Sequence, residues 1–141
     1  MGRSDPGPLD PGERRLSHGV TLDAGPLLTL DQHDRRVIVL LARAEETAER
    51  VIVPGSALAQ AIRNPARQAR LSRLLRQPRT DVVPLDRVDA TAVGRLLAAR
   101  GSSDITDAHV AICARRAGTA VVTSDPGDVR RLDPRLPVTV I

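Results

Sequence analysis

Four aspartates stand where an alternating chain of strands and helices would gather its chemistry. Asp23 closes the apolar run Val20-Thr21-Leu22, Asp104 and Asp107 open a strongly apolar stretch, and Asp125 follows Ala120-Val121-Val122-Thr123-Ser124. If the apolar runs are parallel strands, their carboxyl ends share one rim of the sheet. Asp23 and Asp125 should meet at that rim, and a helix start can bring Asp104 and Asp107 beside them. Crowded carboxylates repel and cannot all ionise cheaply. A hard divalent cation such as Mg²⁺ removes that cost. Held there, it would polarise a phosphoryl oxygen, orient an attacking water and stabilise the leaving oxygen. The chemistry to expect is in-line attack of water on a phosphodiester.

Each aspartate also has a structural alternative. Asp125 before Pro126 suits a helix N-cap, with Asp128 three residues on as a capping-box-like partner. Asp104 in a first turn suits the helix dipole, and Asp23 before Gly25 suits a turn. Asp107 is harder to explain in this way. It shares a helix face with Val110, Ala111 and Ala114, beside a second apolar face of Ile105, Ala108 and Ile112. An unpaired buried carboxylate costs several kcal/mol. The nearest arginines in sequence, Arg115 and Arg116, lie two turns away. A metal shared with Asp23 and Asp125, flanked by Asp104, would meet the need. Without metal the cluster should titrate as a coupled group, with some pKa values raised.

The elements that must position these residues alternate throughout. Residues 1–18 are rich in Pro, Gly and charge and read as a disordered arm, leaving 19–141 as the folded part. Strand 19–23 leads into a short helix through Leu27, Leu28 and Leu30, broken at 31–34. A helix over 35–48 carries the stripe Val37, Leu40, Leu41 and Ala44. Strand 50–53 precedes a helix from Gly55 to Arg63. Asn64-Pro65 reads as an N-cap and first-turn proline opening a helix to about Arg76. On it Arg67, Arg70, Arg73 and Arg76 recur every three residues, either as a solvated face or as a phosphate-tracking, RNA-binding stripe. Then come a strand at 80–85 and a helix at 87–99 with Val88, Ala92, Leu96 and Ala99 on one side. A helix at 104–117 ended by Gly118, a strand at 119–123, a helix at 126–132 and a strand at 137–141 complete the chain. This order predicts a three-layer α/β/α sandwich around a mostly parallel sheet.

Composition bounds the partners. At 141 residues the chain fits one domain. It has no Phe, Tyr or Trp, so its core must be aliphatic and it cannot stack bases on aromatic rings. It has no Lys either, which excludes Schiff-base and P-loop chemistry; every basic charge behind the net +4 is Arg. Arg forks bind phosphate oxygens bidentately, and a basic surface favours an anionic partner. Cys113 reads as a small core residue, His109 as a helix-surface residue and His33 as a loop residue, with His18 in the arm. Their spacing is not that of a zinc site. No apolar run approaches a membrane span and no hydrophobic signal core is present, so a cytoplasmic protein is expected.

Leu22-Asp23-Ala24-Gly25-Pro26 resembles the first strand of a PIN domain, and 53–61, Val-Pro-Gly-Ser-Ala-Leu-Ala-Gln-Ala, resembles its second strand and third helix. Ser103-Asp104-Ile105-Thr106-Asp107-Ala108-His109-Val110 and Val122-Thr123-Ser124-Asp125-Pro126-Gly127-Asp128-Val129 resemble its third and fourth acidic motifs. The closest subgroup is the VapC-like toxin ribonucleases, as found in actinobacteria. The resemblance implies a Mg²⁺- or Mn²⁺-dependent endoribonuclease acting on single-stranded or structured RNA. It also implies a homodimer neutralised by a small antitoxin protein. By the same resemblance Asp23, Asp107 and Asp125 are metal-site carboxylates with Asp104 a fourth, supported by Thr123 or Ser124. One position departs: the family has a Glu in the third helix where this chain has Gln60, which offers an oxygen without charge. A catalytically weak or inactive RNA-binding or complex-forming module of the same fold is the alternative. A phospho-acceptor domain or a haloacid-dehalogenase-like phosphatase would need a lysine that the chain lacks.

Overall fold

The computed structural model describes residues 19–141; the arm expected at 1–18, with His18, lies outside the described residues. Five strands make one sheet in which every neighbouring pair is parallel. They are β1 (Gly19–Leu22), β2 (Arg50–Pro54), β3 (Thr80–Val83), β4 (Ala120–Thr123) and β5 (Val138–Val140). Seven helices flank them: α1 (Ala24–Thr29), α2 (Arg35–Glu46), α3 (Gly55–Ala61), α4 (Ala69–Leu75), α5 (Arg87–Arg100), α6 (Ile105–Ala117) and α7 (Pro126–Leu132). The result is the α/β/α sandwich that the alternation predicts. The inner strands β2, β1 and β4 are buried along nearly their whole length, whereas the edges β3 and β5 are partly exposed. Near-continuous apolar runs are what a parallel sheet covered on both faces requires. The core is aliphatic, with Leu22, Leu27, Val37, Val53, Val110 and Val121 all fully buried.

Strand order fixes where the crevice of the sheet lies. The sheet runs β3-β2-β1-β4-β5. From β1 the chain builds outward through β2 and β3, then returns to the other side of β1 with β4 and β5. The order therefore reverses between β1 and β4. The crevice beyond the carboxyl ends of two such strands is where open parallel sheets bind ligands. Asp23 and Asp125 follow those two strand ends.

Two helical expectations need correction. The helix expected from Pro65 to Arg76 is two pieces: a 3₁₀ turn at Pro65–Arg67 and then α4. Asn64 makes no side-chain cap. Buried Gln68 interrupts the run, its Oε1 accepting from Arg63 N–H at 2.9 Å and Asn64 N–H at 3.2 Å while its Nε2 donates to the Ala61 carbonyl at 2.8 Å. Asp31 caps α4 instead, accepting from the Arg70 and Leu71 N–H groups at 2.8 and 3.0 Å. On α5 the expected stripe is also displaced. Val88 is 71% exposed, and the helix turns Asp89 and Val93 inward. A polar group with interior partners has set the rotation of this helix.

Candidate active site

The register pairs Leu22 with Val122, so Asp23 leaves β1 beside Thr123. Asp23 N–H donates to the Val122 carbonyl at 3.0 Å, which extends the ladder by one bond. Its carboxylate accepts from Ala24 N–H at 2.8 Å, capping α1, and from the Thr123 hydroxyl at 2.7 Å. Thr123 Oγ1 in turn accepts the Asp125 N–H at 2.9 Å. Because Thr123 is fully buried, its hydroxyl is a fixed link between the Asp23 carboxylate and the Asp125 backbone. A Cβ on Gly25 would stand 2.7 Å from Ser124 Oγ, so the missing side chain lets α1 begin close against the end of β4.

Asp104 caps α6, its Oδ1 accepting from Asp107 N–H at 2.9 Å. Helix α6 packs on β1, β2, α3, α5 and α7, and carries the half-buried Asp107 toward the strand ends. Burial pushes the Asp107 carboxyl up to about 7, and the charges of Asp104, Asp23 and Asp128 push it the same way. Carboxylates from the β1 end, the α6 start and α7 thus act on one centre. Asp125 is raised as well, by hydrogen bonding and charge from the neighbouring Asp128 carboxyl. Asp125 is exposed and starts α7 by position, but makes no side-chain cap. Asp128 was legible only as a capping partner; in the fold its charge acts on both Asp107 and Asp125, and it pairs with Arg131. A cavity of about 340 Å³ opens beside this group, lined by Asp104, Asp107, Asp128, Arg100 and Arg131 with the loop 101–103. Carboxylates that disfavour one another's ionised forms in this way suit a hard divalent cation.

Residues 20–133 match the PIN domain family. The chain belongs to that family. It is also similar to a chain of FitAcB from Neisseria gonorrhoeae, with a TM-score of 0.55 and 18% identity over 84% of this chain and 95% of that one. At that identity the likeness concerns the fold. No curated protein matches the chain.

Other sequence candidates in this PIN domain lie elsewhere. Gln60 is exposed on α3 and does not line the carboxylate cavity. The arginine series is not one helical stripe: Arg67 sits in the 3₁₀ turn, Arg70 and Arg73 on α4, and Arg76 at its C-cap. Arg70 lies within 2.8 Å of His33 Nδ1, so that guanidinium already has a local partner. His109 is the plainest correction, for it is fully buried rather than on the helix surface. Its Nδ1 lies 2.7 Å from Ser56 Oγ and its Nε2 3.0 Å from Asp89 Oδ2. Asp89 also accepts from Arg116 at 2.7 Å, and that guanidinium holds its carboxyl below the usual range. Donor atoms of Asp89, His109 and Cys113 come within 4.8 Å of one another. Both ring nitrogens and the carboxylate already have partners, and burial pushes the Cys113 thiol up to about 12. The group acts as a polar bolt joining α3, α5 and α6. No helix among the described residues is long and apolar enough to cross a membrane.

Proposed function

We propose that this PIN domain is a divalent-cation-dependent endoribonuclease that hydrolyses RNA phosphodiester bonds with Mg²⁺ or Mn²⁺, as the toxin of a toxin–antitoxin pair. One observation carries the reading: Asp107 is held half-buried among Asp23, Asp104 and Asp128, with its carboxyl raised to about 7. Asp23, Asp107 and Asp125, with Asp104 and now Asp128, are the residues that would hold the ion. When bound, it supplies a Lewis acid for the phosphoryl oxygen and a water of lowered pKa. The chain's own groups do the positioning. The Thr123 hydroxyl and the Ala24 N–H fix the orientation of Asp23. Asp104 uses Oδ1 as the α6 cap and so holds its carboxylate beside Asp107. Asp107 must give up its proton before it can ligate. RNA as substrate, a small antitoxin and a homodimer are supported by the VapC-like motifs.

Labelled single-stranded RNA incubated with Mg²⁺ or Mn²⁺ tests the reading. Cutting should require the ion and disappear in Asp23→Asn and Asp107→Asn. Gln60 favours a second reading, a non-catalytic RNA-binding or complex-forming module, because the third helix brings no carboxylate. RNA binding by the wild type without any cutting would establish that one instead.

A further inference from the structure

The cavity beside the carboxylates has walls of opposite sign. Asp104, Asp107 and Asp128 form one side, and Arg100 and Arg131 contribute guanidinium groups to the same space. Arg131 is 77% exposed and is tethered by its ion pair with Asp128, so its charge stays at the lip while most of its surface is open. Arg100 ends α5 and is exposed, and its side chain has no ion-pair or hydrogen-bond partner among the described residues. A polyanionic strand approaching a cluster of carboxylates is repelled unless positive groups meet its other phosphates. Guanidinium forks bind phosphate oxygens bidentately and can also lie flat on a base, which matters in a chain without aromatic side chains. At about 340 Å³ the cavity falls in the ~300–1,000 Å³ range of small-ligand clefts.

We propose that Arg100 and Arg131 seat the phosphate next to the one that is cut, so that RNA enters across the α5–α6 turn and the start of α7. The proposal rests on the nuclease reading and names its strand-binding residues. It also moves the RNA contact away from Arg67, Arg70, Arg73 and Arg76.

The test separates the two readings. In an Asp107→Asn background, which should bind without cutting, affinity for a fluorescein-labelled single-stranded RNA is measured across a salt series. Arg100→Gln and Arg131→Gln should each weaken binding about tenfold and reduce the slope of log K against log salt by about 0.7, the value for one lost single-strand phosphate contact. Arg73→Gln should leave the slope unchanged. In the otherwise wild-type chain Arg100→Gln, whose side chain pairs with none of the carboxylates, should raise KM more than it lowers kcat and leave Mg²⁺ affinity by calorimetry the same. An unchanged slope in Arg100→Gln and Arg131→Gln, or an equal loss in Arg73→Gln, overturns the proposal. If the wild type cuts no RNA while the salt slopes shift as expected, the nuclease reading fails and the seating of the strand stands.

Discussion

On the proposed function, the chemistry of this molecule turns on one proton, that of Asp107. Its carboxyl is raised to about 7 by burial and by the charges of Asp104, Asp23 and Asp128. A cation must displace that proton, so apparent Mg²⁺ affinity measured by calorimetry should rise about tenfold per pH unit up to about pH 7 and then level off. Asp107→Asn should abolish both the binding and its pH dependence. Asp104 has two roles that substitution can separate. Asp104→Ser keeps a capping oxygen and should cost only a few tenths of a kcal/mol, while Asp104→Ala should cost about 1 kcal/mol in urea unfolding. Both remove a charge facing Asp107 and should move the midpoint of the Mg²⁺–pH curve downward. The approach of Asp23 and Asp104 to Asp107 was legible because each follows or opens a strongly apolar run. Asp128 was not, because a carboxylate one turn into a short helix looks the same whether it caps the helix or faces a neighbour. Only the approach of α6 to α7 distinguishes the two.

At the scale of elements, the least legible feature is the bolt through α3, α5 and α6. Asp89, His109 and Ser56 are far apart in sequence, and no periodicity marks a polar residue that faces inward. The expected stripe on α5 ran through Val88 because apolar residues were assigned to the core; Asp89 turns inward instead, since His109 and Arg116 satisfy it. Removing one partner of such a buried group leaves the others desolvated without compensation. Asp89→Ala should therefore lower stability by about 3 kcal/mol in urea unfolding. It should also loosen α6 and so weaken Mg²⁺ binding at Asp107, whereas exposed Arg95→Ala on the same helix should change neither. The caps were easier to read. Gly118 ends α6 in the left-handed region with φ of 70°, as a glycine after an apolar helix predicts. The helix expected over 65–76 was misjudged because Pro65 looks like a helix start, while Gln68 binds the preceding backbone and delays the helix until Ala69.

For the whole molecule, alternation of apolar runs made the layered fold legible, and four motifs in order, three of them acidic, pointed to a candidate site at one rim. The strand order was not, since nothing local records that β4 lies beside β1; that neighbourhood emerges from packing, and it brings Thr123 to Asp23. The same convergence shapes stability across the pH scale. Asp89 is held below its ordinary value chiefly by its hydrogen bond to Arg116, so its contribution is present above about pH 4 and is lost as pH falls through its folded value. Asp107 works in the opposite sense. Its folded pKa of about 7 lies above the unfolded value of about 4, so the native state binds more protons in between and stability falls as pH rises through that window. With a chelator present, the melting temperature should peak on the acid side of neutrality and decline toward pH 8. If Mg²⁺ binds the ionised cluster as proposed, saturating Mg²⁺ should leave the acid side nearly unchanged and lift the alkaline side. Asp107→Asn carries no charge to be repelled. It should melt above the wild type at pH 8 with chelator, with a flatter profile and no response to Mg²⁺, while on the proposed function it loses RNA cutting. A wild-type melting curve that is independent of both pH between 5 and 8 and Mg²⁺ would show that these carboxylates do not share one centre.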